Sequence, residues 1–166
     1  SFISGLWKNY LGVYMSYGGY FSREELLKQV EQYFPYVEKP VPDKLFRVGR
    51  EDILARILLT ATEEFQSELS LEQTIFLHDE TATISNSAMV WLFPSLLRHV
   101  LSNKPEAEML SESLVWYFDQ QYSLFNFGWI GMRQAAVLIR VFEYLGEEFG
   151  HTVVVALENL QDLSVT

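Results

Sequence analysis

Chemistry in a protein needs a nucleophile, a proton carrier or a set of ligands, and this chain offers few of them. It has three histidines, no cysteine and 22 acidic side chains. Without cysteine there is no disulfide scaffold, no thiolate nucleophile and no thiolate metal site. The residues most suggestive of a site are His78, Asp79 and Glu80, with His99 further along. An imidazole beside carboxylates could hold a metal ion or carry a proton. Neighbours on a helix, however, point about 100° apart, so three in a row cannot converge on one ion. No H-E-x-x-H motif is present. The run therefore reads as a solvated helix end followed by a turn. His99, set in an apolar stretch, reads as a packed or half-exposed side chain.

Nucleophilic hydrolysis is no better supported. There is no G-x-S-x-G elbow, and Ser111 and Ser113 sit beside acidic residues, not in a glycine turn. The glycines of "SYGGY" and "GWIGM" match neither the P-loop nor the dinucleotide pattern. Carboxylates are plentiful, but nothing in their spacing selects a pair at glycosidase separation. The expectation is a non-enzymatic chain with no cofactor and no metal site. A small hydrolase built around His78 or His99 is the alternative that chemistry would allow.

What stands out instead is unopposed charge. The segment "EEFQSELSLEQTIFLHDE", residues 63–80, holds Glu63, Glu64, Glu68, Glu72, Asp79 and Glu80 and no lysine or arginine. Residues 1–56 carry eight basic and seven acidic side chains, whereas residues 57–166 carry four and fifteen, so the net charge of −10 belongs to the last two thirds. Such a field repels phosphates and anionic lipid headgroups and attracts cations, which argues against nucleic-acid and membrane binding. A solubilising surface normally mixes signs in i,i+4 pairs. Here such pairs are few, and held like charges repel one another. The pattern points to an interface whose other half is cationic, with Glu63, Glu64, Glu68, Glu72, Asp79 and Glu80 as one contact region and Glu143, Glu147 and Glu148 as a second.

The elements that must position these residues are helical. A chain of 166 residues, 49% hydrophobic and 15% aromatic, has material for one well-filled core. Ser22 and Glu25 form a capping box before a helix that Pro35 stops. Residues 35–48, with Pro35, Pro40 and Pro42, read as an extended linker. A second helix is expected through "REDILARILLTATEEF", with Ile53, Leu54, Ile57, Leu58, Ala61 and Phe65 on its packed side and Glu63, Glu64 and Glu68 on its far side. Further helices follow at "SLEQTIFLHDE", at "NSAMVWLFPSLLRHVLS" with a kink at Pro94, and at "PEAEMLSESLVWYFDQQY". The clearest is "WIGMRQAAVLIRVFEYLGEEFG", with Gly150 at its C-cap.

The tail, residues 151–163, has valines that suit a strand and leucine spacing that suits a helix; helix is preferred. Trp91, Phe93, Trp116, Tyr117, Phe118, Phe125, Phe127 and Trp129 are expected in the core, and Tyr122 near an interface. Residues 1–21 read as an aromatic-rich packing arm, not a signal peptide, because no basic residues precede the apolar part and Lys8, Asn9 and Gly18-Gly19 interrupt it. The expectation is one all-α domain over residues 1–166, a bundle of about six or seven helices.

Within "LEQTIFLHDETATISNSAMVWLFPSLLRHVL" the chain resembles an uncharacterised bacterial helical family with a leucine-rich stretch, a loop, and a helix with an F-x-x-x-L-P-type core. Trp91-Leu92-Phe93-Pro94 takes that position, with phenylalanine where the family tends to have leucine. The earlier "VEQYFPYVEKPVPDKLF" is similar to that family's opening. By type, such small acidic helical proteins resemble immunity proteins encoded beside bacterial contact-dependent or secreted toxins. The resemblance implies a cytoplasmic immunity protein or antitoxin-like binder that occludes a cationic toxin domain. A nuclease fits best as the toxin, since its substrate groove must be basic. The alternative is a helical scaffold or adaptor whose arm, residues 2–21, docks on a protein or on a second copy of the chain as a homodimer.

Overall fold

Local signals in the sequence set most helix boundaries of the computed structural model, which describes residues 21–47, 53–120 and 127–164. The arm over residues 1–20, the start of the second helix, Tyr122 and Phe125 lie outside the described residues. Among the described residues seven α-helices run in order: α1 Arg23–Tyr33, α2 Ile53–Ala61, α3 Leu71–Leu77, α4 Asn86–Val100, α5 Glu108–Asp119, α6 Met132–Phe149 and α7 Val154–Ser164. Short 3-10 turns occupy Pro42–Lys44, His78–Glu80 and Pro105–Ala107. The chain is an all-α bundle.

The capping box expected at Ser22 and Glu25 holds at atomic detail. Ser22 Oγ accepts the Glu25 N–H at 3.2 Å, and the Glu25 carboxylate accepts the Ser22 N–H at 2.9 Å. Ser70 and Gln73 repeat the arrangement at α3, and Ser85 caps α4 through the Ala88 N–H. Gly150 ends α6 at φ 69°, a left-handed conformation that favours glycine. Beyond it the tail forms helix α7, which folds back on α6 and also packs on α5.

α4 lies at the centre. Met89, Trp91, Leu92, Phe93, Leu96, Leu97 and Val100 are all buried. Phe93 meets the rings of Phe34, Tyr117, Phe118 and Trp129, the last at 4.6 Å edge-on. Phe118 extends the cluster to Phe127 and to Phe142 of α6. Of the expected aromatic core, Trp91, Phe93, Tyr117, Phe118 and Phe127 are buried, Trp129 is partly buried and Trp116 is half exposed. α4 continues as one helix through Pro94, whose carbonyl accepts a hydrogen bond from Arg98 Nη1 at 2.8 Å.

Two expectations need correction. The proline segment is not wholly extended, since it contains the Pro42–Lys44 turn and pairs at Phe46 with Ile84 in an isolated bridge. More consequentially, the second helix stops at Ala61, and of its expected packed side Leu58 is buried and Phe65 half buried while Ile53, Leu54, Ile57 and Ala61 face solvent. α2 buries Ala55 and Leu58, while Ile53, Leu54 and Ile57 are 76%, 46% and 57% exposed. Apolar residues occupy both sides of this short helix, so periodicity identified a hydrophobic face but not the one that packs. Thr62 Oγ1 donates to the Leu58 carbonyl at 2.9 Å just past the helix end. Glu63, Glu64 and Glu68 accordingly lie on the turn and irregular segment after α2, not on a helix face.

Candidate functional site

The acidic segment begins where α2 ends, and α4 holds its backbone. Trp91 Nε1 donates to the Gln66 carbonyl at 2.9 Å. Ser95 Oγ accepts the Leu69 N–H at 2.9 Å, and His99 Nε2 lies 2.9 Å from the Leu69 carbonyl, which requires the proton on that nitrogen. An irregular loop has backbone groups without ladder partners, and burial makes each unpaired one costly. Here side chains from successive turns of α4 satisfy them. His99 is half buried and holds the loop backbone, and Leu69 is a buried peg between acidic neighbours.

Aromatic contacts tie the segment to its surroundings. Phe65 meets Phe76 of α3 edge-on at 6.2 Å. The Tyr36 hydroxyl reaches Glu68 at 3.4 Å, and the Arg98 guanidinium lies 4.1 Å from the centre of the Tyr36 ring. Lys39 Nζ donates to the Thr62 carbonyl. Burial lowers the pKa of Lys39, with nearby Glu63 pulling the other way. The segment is thus cation-free in sequence but less so in space, because Lys39 and Arg98 approach it from the proline segment and α4.

That approach stops short of pairing. Among the described residues, ion pairs within 4.0 Å are Arg23–Glu24 at 3.1 Å and His78–Asp79 at 3.2 Å. Glu63, Glu64, Glu68 and Glu72 are exposed and have no such cation among the described residues. Asp79 is exposed beside His78, and Glu80 is half buried in the 3-10 turn. Five of the six expected contact residues therefore present their carboxylates to solvent, and Glu80 does so in part.

The second set does not form a comparable surface. Glu148 is exposed, but Glu143 and Glu147 are half buried on α6. Glu143 Oε1 is buried without a hydrogen-bond partner, and burial pushes its carboxyl up to about 8 against the pull of Arg140. At neutral pH Glu143 is mostly uncharged, so it contributes little to an anionic face. Arg140 instead bonds Gln29 Oε1 of α1 at 2.7 Å.

Three groupings could mimic catalytic or metal chemistry. Ser113 Oγ lies 2.5 Å from His78 Nδ1, and Asp79 contacts the same nitrogen. A relay needs the carboxylate on one ring nitrogen and the nucleophile on the other, so this is not a triad. Glu148 and His151 have the i,i+3 spacing of a ligand pair, but the left-handed Gly150 between them breaks the shared helix face. Among the described residues no group of three or more His, Asp or Glu side chains could hold a metal ion. A cavity of about 270 Å³ beside the Pro105–Ala107 turn is lined by Lys104, Glu108, Ser111, Phe149 and His151, among others. Its lining mixes a cation, an anion and apolar walls, so it concentrates no single charge.

Comparison of the chain with protein-family models, with curated proteins and with solved structures gives no match. No helix among the described residues is long and apolar enough to cross a membrane.

Proposed function

We propose that the protein is a non-enzymatic binder of a cationic protein, of the kind that protects a bacterial cytoplasm by occluding the active site of a toxin domain. One observation carries this reading. Glu63, Glu64, Glu68 and Glu72 are exposed without a basic side chain within 4.0 Å among the described residues, on a segment whose backbone α4 holds in place. Fixed charges need no reordering when a partner arrives, which lowers the entropic cost of binding. An anionic face steers a cationic partner to encounter and competes with an anionic substrate for the same groove. A nuclease is the toxin class that best fits such a face, because its groove must hold phosphates.

The test is capture from native lysate at about 50 and about 500 mM salt, where screening differs several-fold. The expected result is one basic protein retained at low salt and released at high salt. Its capture should fall when Glu63, Glu64, Glu68 and Glu72 are changed to Gln. A salt-indifferent partner, or self-association alone, would overturn the proposal in favour of a scaffold.

A further inference from the structure

α2 is apolar on both sides, and among the described residues only one side is covered. Ala55 and Leu58 anchor it, while Ile53, Leu54 and Ile57 project into solvent on the helix that leads into the acidic segment. Past its end, Phe65 packs on Phe76, which is itself 44% exposed. Exposed β-branched and aromatic residues clustered beside unpaired carboxylates are unusual, since isolated charges are normally enough for solubility. Charge and apolar area also contribute differently to binding. Rim charges set encounter rate and salt dependence, whereas buried apolar anchors set residence time.

We propose that the outward face of α2, formed by Ile53, Leu54 and Ile57, is the apolar anchor of the interface. It inserts into an apolar cleft on the partner whose rim carries Lys and Arg side chains. This rests on the acidic-binder reading and adds the chemistry of the partner's contact surface. Charge complementarity selects this occupant: Glu63 and Glu64 follow the helix end directly, and Glu68 and Glu72 continue the acidic segment. A second copy is a poor occupant, because a two-fold pairing through α2 brings acidic rim against acidic rim between chains of net charge −10. Arg56, exposed on the helix flank, is too lone to reverse that balance.

The probe is a synthetic amphipathic Leu/Lys helix, compared with a Lys/Ser peptide of equal charge and read by fluorescence anisotropy with the full chain. The wild type should bind Leu/Lys at least about tenfold more tightly than Lys/Ser. Changing Ile53→Ser together with Ile57→Ser should remove that preference and leave Lys/Ser binding and the melting temperature unchanged, because both side chains are exposed. If the isoleucine variant keeps the preference, the anchor inference fails while the acidic reading stands. If neither lysine peptide binds the wild type, or the glutamine variant binds as well as wild type, the acidic reading fails and takes the anchor with it. A photo-crosslinking side chain at position 57 supplies the second readout. Cross-links to the Leu/Lys peptide support the proposal, and cross-links to residues 1–20 or to a second copy overturn it.

Discussion

Glu143→Gln removes an ionisable group from a half-buried position on α6, and its effect on stability should grow with pH. The folded carboxyl is raised from 4.5 to about 8 by burial, despite the attraction of Arg140. Below 4.5 both folded and unfolded chains hold the proton, so the substitution should be close to neutral. Between 4.5 and about 8 the unfolded chain has released its proton while the folded chain retains it. The folded state then binds more protons, and stability falls as pH rises. Above about 8 both states are ionised and the full penalty is present.

At about 1.4 kcal/mol per pH unit, that interval sets an upper limit of about 5 kcal/mol. Partial solvent contact reduces it by half or more, leaving a gain for the glutamine variant of about 2 kcal/mol at high pH. For a chain of this size that is roughly 4–8 °C in melting temperature. Urea unfolding of both proteins from about pH 4 to about pH 9 measures it as a shift in midpoint at constant slope. A gain that does not change with pH would refute the reasoning, as would a Glu143 carboxyl whose NMR titration midpoint stays in the ordinary carboxylate range.

Two further substitutions probe how the site is held. Ser95→Ala leaves the buried Leu69 N–H without its acceptor; it should cost about 1–3 kcal/mol and speed hydrogen exchange at Leu69, and unchanged exchange would mean that α4 does not fix the acidic segment. Gly150→Ala meets no atom within 4 Å, so its penalty is purely one of backbone at φ 69°. It should lower stability by about 1–2 kcal/mol in thermal melts, and a neutral result would show that the α6–α7 turn relaxes at no cost.

Much of the architecture was legible because it is encoded locally. Ser22 announces a helix start through an oxygen that reaches only three residues ahead, and Gly150 announces an end through a conformation that favours glycine. The core aromatics were legible because α4 is apolar nearly all round and has to be buried. The side on which α2 packs was not legible. Nine residues apolar on opposite faces give two acceptable orientations, and long-range contacts decide between them. Glu143 was misjudged for the same reason. A glutamate on a helix reads as solvent-facing, and only tertiary packing removes its water and, with it, its charge.

That difference bears on what the acidic residues are for. A charge that serves solubility alone needs exposure and makes no demand on the backbone beneath it. Glu63, Glu64 and Glu68 instead sit on an irregular segment clamped at Gln66 and Leu69 by Trp91, Ser95 and His99, with Tyr36 and Phe65 packed along it. The same segment follows directly on the helix with the exposed isoleucines. Repulsion among the carboxylates and solvent contact of the apolar face both destabilise the free protein, and the partner we propose, cationic at its rim and apolar within, would relieve both in one event. Either feature alone has an ordinary explanation. Held together on a fixed backbone, they are the two features on which the proposed binding reading rests.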